Sequence, residues 1–179
     1  MKTCIALLRG INVGGNNKIE MLKLKKCFEL LGYTNILTYI NTGNVIFETD
    51  KDTKKFIKAK VEKGIYESFG LKISAVVRDS KNIKELCKKI PKNWSNDTEQ
   101  KTDILFLQDG FDTKKTLSLI TINPDVDTLM YVQRAIVWNI PRNGYVKSGM
   151  HKFIGSKVYK NMTARNVNTV RKLAKLMER

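Results

Sequence analysis

Residues 34–49, TNILTYINTGNVIFET, decide the fold. Two runs rich in β-branched and aromatic residues, 34–40 and 44–49, flank Asn41, Thr42 and Gly43, and a short Asn/Gly turn between such runs predicts a β-hairpin. On its N-terminal side, apolar residues fall at 21, 22, 24, 27, 28, 30 and 31, with Lys23, Lys25, Lys26 and Glu29 between them. That is the two-faced pattern of a helix stopped at Gly32. Further upstream, TCIALLR (3–9) reads as a strand that ends in the loop GINVGGNN (10–17). On the C-terminal side, Asp52 or Thr53 caps a helix to about Phe69, with Phe56, Ile57, Val61, Ile65 and Phe69 on its apolar stripe. Leu71 to Arg78 returns as a strand. The order β-α-β-β-α-β predicts an α+β fold that begins with a ferredoxin-like split βαβ subdomain over residues 1–79.

The rest of the chain reads as a second, smaller α+β subdomain. Ser80 caps a helix to about Ile90, and PKNWSNDTEQ (91–100) is a polar linker, so that 80–100 separates 1–79 from 101–179. Thr102 to Leu107 is a strand, Asp112 caps a short helix through Ile120, and 128–132 with 135–140 form a second hairpin. A glycine-containing basic loop and a terminal helix from about Asn166 complete a β-α-β-β-α pattern. This echoes the first half in order, with no residue-level repeat beside it.

Among 179 residues, 42% are apolar and 28% charged, the balance of a globular protein rather than of a disordered or fibrous one. Three widely spaced cysteines, Cys4, Cys27 and Cys87, and a single histidine, His151, provide neither a disulfide framework nor a zinc set, and no cofactor is expected. The apolar stretch 5–8 is stopped by Arg9, too short for a leader or a membrane span, so a reduced, cytoplasmic protein with no membrane association is expected. The formal net charge is +16. Residues 1–78 hold 14 basic and 7 acidic side chains, 79–141 hold 9 and 9, and 142–179 hold 10 and 1, so the C-terminal tail is the electropositive end. Such a field attracts phosphates and polyanions in a salt-dependent way. Lysines outnumber arginines 26 to 7, however, and a lysine-rich solvated surface explains the same total.

Topology brings two loops to one edge of the first sheet. In a split βαβ unit strands 1 and 2 are parallel with strand 3 between them, so the end of strand 1 lies beside the turn that joins strands 2 and 3. Arg9, Gly10, Asn12, Gly14, Gly15, Asn16, Asn17 and Lys18 thereby meet Asn41, Thr42, Gly43 and Asn44. Glycines let backbone N–H groups approach a ligand and make anion-binding nests, and asparagine donates and accepts without a charge to desolvate. The same residues also suit tight turns, and Asn17 suits a helix cap. A second candidate lies in the basic tail, where Lys157 precedes Thr163, Arg165 and Asn166 at the expected start of the last helix, either a seat for a phosphate or an N-cap by Thr163 or Asn166 on a solvated basic helix. Other arrangements are weaker. The P-loop and dinucleotide fingerprints are absent. Strand 1 has no aromatic residue and strand 3 only Phe47, which argues against base stacking on the sheet. The cysteines read as core residues, and Asp125 with Asp127 as turn or cap residues before an acid/base pair.

LLRGINVGGNNKIEM, LGYTNILTYINTGNVIF and the C-terminal MTARNVNTVRKL closely resemble the bacterial domain-of-unknown-function 1697 family, across essentially the whole chain. The resemblance implies a two-subdomain α+β fold with a ferredoxin-like first part and implies no activity. Val167 stands where many relatives carry tryptophan. The expected function is binding of a phosphate-bearing partner, nucleic acid or a nucleotide-like small molecule. An enzyme acting on a phosphorylated metabolite and a protein-interaction module with incidental charge are the alternatives.

Overall fold

The computed structural model describes residues 1–50 and 53–178. The chain divides into two compact units, Met1–Asn82 joined by the residues from Leu176 onward, and Ile83–Lys175.

In the first unit β1 (Lys2–Leu8), β2 (Thr34–Tyr39), β3 (Asn44–Thr49) and β4 (Ala75–Asp79) form one sheet in the order β2-β3-β1-β4. Every neighbouring pair is antiparallel, which makes β1 and β2 parallel, consistent with the ferredoxin-like order expected. The helices α1 (Met21–Leu30) and α2 (Lys54–Phe69) supply the two crossovers. Leu24, Cys27 and Phe28 of α1 and Ile57, Val61 and Ile65 of α2 recur at helical spacing and bury against Cys4, Ala6, Leu8, Val45, Phe47, Ala75 and Val77 of the sheet. Helix α1 ends in a Schellman turn. Gly32, at φ +81°, donates to the Glu29 carbonyl at 2.9 Å and Tyr33 to that of Phe28 at 3.2 Å, and the Phe28 and Tyr33 rings then meet at 6.0 Å. Thr53 caps α2 by accepting from the Phe56 amide; the alternative cap, Asp52, lies outside the described residues.

The second unit repeats this plan. Strands β5 (Gln100–Leu107), β6 (Thr128–Val132), β7 (Ala135–Pro141) and β8 (Met162–Asn166) take the order β6-β7-β5-β8, again antiparallel throughout. Its crossovers are reduced: a 3-10 turn at Lys114–Leu119, and a chain of short turns around α4 (Met150–Ile154). Helices α3 (Ser80–Lys89) and α5 (Val167–Leu176) follow β4 and β8. The two halves agree residue by residue at this point, where the sequence showed agreement in order only. Ile5 pairs with Arg78 as Ile104 pairs with Arg165. Asp79 accepts from the Asn82 amide at the start of α3, and Asn166 from the Thr169 amide at the start of α5, both at 2.8 Å. Ile83 and Leu86 are buried on α3 as Val170 and Leu173 are on α5.

Three local expectations change. The capping residues of MTARN (162–166) predict the approach to a helix, yet pairing with β5 and burial of Met162 draw this segment into the sheet as β8. Asp79, not Ser80, caps α3. Asp112 caps no helix; its carboxylate pairs with Arg134, which also reaches Asp109 at 2.9 Å. No helix among the described residues is long and apolar enough to cross a membrane.

Candidate functional site

The two loops of the first unit do meet. The Leu8 amide donates to the Gly43 carbonyl at 2.8 Å, so β1 hands directly onto the hairpin turn. Asn12, at φ +53°, spends its whole side chain on the junction: its amide group donates to the Asn41 and Ile19 carbonyls at 2.8 Å each, and its oxygen accepts from the Ile19 N–H at 2.8 Å. Asn17 closes the loop from the other end by donating to the Gly10 carbonyl at 3.0 Å. It therefore does not cap α1, whose N-cap position is taken by Glu20.

Asn44 is completely enclosed, and its amide group donates to the Tyr39 carbonyl at 3.0 Å and to Thr42 Oγ1 at 3.1 Å. Asn12 and Asn44 are thus the frame of the junction, and Asn44 has no surface to offer a ligand. We expect Asn44→Ala to cost about 1–3 kcal/mol, because it removes a fully enclosed side chain and leaves the half-buried Tyr39 carbonyl and Thr42 hydroxyl without their donor. Chemical denaturation checks this, and a variant as stable as the parent would return Asn44 to the candidates for ligand contact.

What the frame holds outward is different in kind. Gly14 and Gly15 are exposed, both with positive φ, and a Cβ at either would meet nothing within 4 Å. Their N–H groups donate to no other described residue. Lys18 is exposed beside them, Arg9 is half-buried with its amide bonded to the Ser74 carbonyl, and Gly10 and Asn41 are exposed. A cavity of about 410 Å³ is lined by Asn12, Lys18, Ile19, Glu20, Lys23 and Phe69. Its one carboxylate, Glu20, is 2.8 Å from Lys23 Nζ. The corresponding loop of the second unit, QDGFD (108–112), is tied to the β6–β7 turn through Arg134 and carries acids instead of lysines.

The tail residues do not assemble as expected. Thr163 and Arg165 lie within β8 and are 1% and 9% exposed, so neither stands at a helix start facing solvent. Burial lowers the Arg165 pKa to about 10, with the Tyr159 hydroxyl acting in the opposite sense, and the guanidinium still holds its charge at neutral pH while donating to the Ala164 carbonyl at 2.7 Å. Asn166 is engaged as the cap of α5. Lys157 is exposed, and only its carbonyl is used, accepting from Asn161.

The sequence marks Asp127 as a turn or cap residue and gives no sign of how many donors converge on it. Asp127, 4% exposed, accepts through Oδ1 from Trp138 Nε1 at 2.9 Å and from the Ser148 hydroxyl, and through Oδ2 from the amides of Asn123 and Gly149 at 2.8 Å each. Burial raises its pKa, but the bonds from Ser148, Asn123, Gly149 and Trp138 outweigh it and hold the carboxyl below its usual 3.8. Asp125, by contrast, is exposed, so the two acids share no site. Cys4 and Cys27 are buried and Cys87 half-buried; burial pushes all three thiols up, which makes them poor nucleophiles. Among the described residues no group of three His, Cys, Asp or Glu side chains is placed to hold a metal ion.

A family model described as "Protein of unknown function (DUF1697)" matches residues 1–138. A solved structure, the conserved bacterial protein SP0830 from Streptococcus pneumoniae, is similar over 99% of each chain, with 27% identity and a TM-score of 0.85. No curated protein matches.

Proposed function

We propose, for a chain that belongs to the DUF1697 family of proteins of unknown function, that the loop of residues 9–18 binds a phosphate-bearing ligand, a nucleotide-like molecule or nucleic acid. The observation that carries this reading is the division of labour at the junction: Asn12, Asn17 and Asn44 are consumed in holding the loops, while Gly14, Gly15 and Lys18 are held outward. Consecutive glycines in the left-handed region expose backbone N–H groups to an anion, and Lys18 with Arg9 adds positive charge. Glu20, already paired with Lys23, opposes an anion only weakly. The adjoining cavity is of the size that takes a small ligand. Lys157 and the lysines of the tail add to the attracting field without forming a pocket.

The test is a thermal-shift and titration series with inorganic phosphate, mononucleotides and oligonucleotides. Lys18→Ala and Arg9→Ala are each expected to weaken binding by about 1–3 kcal/mol with little change in melting temperature. A nucleic-acid ligand should lose affinity steeply between low and physiological salt because many lysine contacts release counterions, whereas a single phosphate should show a shallow slope. Equal ligand-induced stabilisation of the parent and both variants would overturn the reading.

A further inference from the structure

The second unit holds a cavity of about 360 Å³ between the segment 119–123 and the segment 147–156. Its apolar lining comes from Leu119, Ile122 and Phe153. Leu119 is 55% exposed and Ile122 38%, so aliphatic surface of the cavity is open to a ligand from water. Its charged lining comes from Lys147 and Lys152, and no carboxylate lines it. Neither ammonium group has an ion-pair partner among the described residues. The stretch 142–160, which supplies one wall, contains five basic side chains and no acidic one.

The walls are fastened together from beneath. Asp127 bonds the Asn123 amide on one side and the Gly149 amide and Ser148 hydroxyl on the other. Asn123 also donates to the Lys147 carbonyl at 3.1 Å. Gly149 lets the two segments touch, since a Cβ there would fall within van der Waals distance of the Thr121 carbonyl oxygen and 3.0 Å from Ile122 Cα. The cavity is preformed, and a ligand entering it spends little free energy on ordering its walls.

From the apolar floor, the two unpaired lysines and the lack of any lining carboxylate, we infer that this cavity binds a small amphipathic anion, with its aliphatic part over Leu119, Ile122 and Phe153 and its carboxylate or phosphate held by Lys147 and Lys152. A neutral amphiphile leaves both ammonium groups unmatched, and a cationic one is repelled by them. Inorganic phosphate satisfies the lysines and leaves the floor in water. This site shares no residue with the loop of the first unit and stands or falls separately from it.

The experiment is isothermal titration of the full chain with octanoate and octyl phosphate, alongside octanol, octylammonium and inorganic phosphate. Octanoate, which carries no phosphate for the loop of residues 9–18, is expected to saturate one site at least about tenfold more tightly than octanol. The double variant K147A/K152A is expected to abolish that preference while leaving octanol unaffected, and Ile122→Gln to weaken the anionic amphiphiles and octanol alike. Lys147 and Lys152 are exposed surface side chains, so their removal leaves folding intact. The inference is overturned if octanol binds as tightly as octanoate, if octanoate does not saturate, or if K147A/K152A retains the full preference. It is equally overturned if sedimentation shows the free chain self-associating through this face and I122Q restoring the monomer, because the occupant is then a second copy.

Discussion

Asp127→Ala is expected to destabilise the protein by about 3–5 kcal/mol, because it removes one buried carboxylate and strands four donors at once. The indole of Trp138 sits in the core of the second unit, so its N–H has no alternative in water, and the amides of Asn123 and Gly149 lose the tie between their segments. At about 2–4 °C per kcal/mol for a chain of this size, a drop of roughly 10 °C in Tm follows. The acid dependence carries the same signature. The folded carboxyl titrates below 3.8, so its contribution is complete above that value and is lost as the pH falls through the folded pKa. The stability difference between the parent and Asp127→Asn should therefore be constant near neutrality and narrow only below 3.8. A difference that stays constant well into the acid range would show that the charge on Asp127 contributes nothing.

The second large effect is expected at Gly43. Its φ of +77° disfavours any side chain, and a Cβ there would lie 2.7 Å from Leu8 Cβ and 2.8 Å from Ile11 Cδ1. Leu8 Cβ belongs to an interior strand and cannot yield, so Gly43→Ala should cost about 2–4 kcal/mol through strain and overpacking together. Gly14→Ala is the control. It has the same sign of φ but open space around the Cβ, and should cost only about 1 kcal/mol. Urea titration of both variants separates the terms, and equal costs would mean that β1 and the hairpin turn do not abut as described.

Legibility followed the range of the interactions. The hairpin 34–49 and helices α1 and α2 were readable because their signals, an Asn/Gly turn, a period near 3.6 and a glycine stop, are local. The meeting of the loops at Arg9–Lys18 and Asn41–Asn44 was readable from strand order alone. Which asparagines would be consumed there was not, because Asn12 and Asn44 differ from Asn16 only in the neighbours that tertiary structure brings them. β8 was hidden because its partner lies more than fifty residues upstream and its threonine and asparagine carry a stronger local message for a cap. The role of Asp127 beyond a turn residue was hidden for a related reason: donors at 123, 138, 148 and 149 converge on it only once β7 and the following turns are in place. The register match of Arg78 with Arg165 needed the sheets, since the surrounding sequences share little else.

The placement of β1 also governs how the protein is made. It lies inside its sheet, between β3 and β4, and Cys4 finds its second neighbour only at Asp79. The β2–β3 hairpin closes locally within about 1–10 μs, but the interior strand has to await a long loop closure. During synthesis, at about 5–20 residues per second, its apolar run CIALL is therefore finished well before β4 has emerged, and for that interval it is an unsealed edge open to other nascent chains. Lys2 and Arg9 bracket that run, the position in which charged gatekeepers oppose strand-to-strand aggregation. Arg9 thus stands where a gatekeeper acts on the unfinished sheet, beside the role proposed for it at the rim of the finished loop.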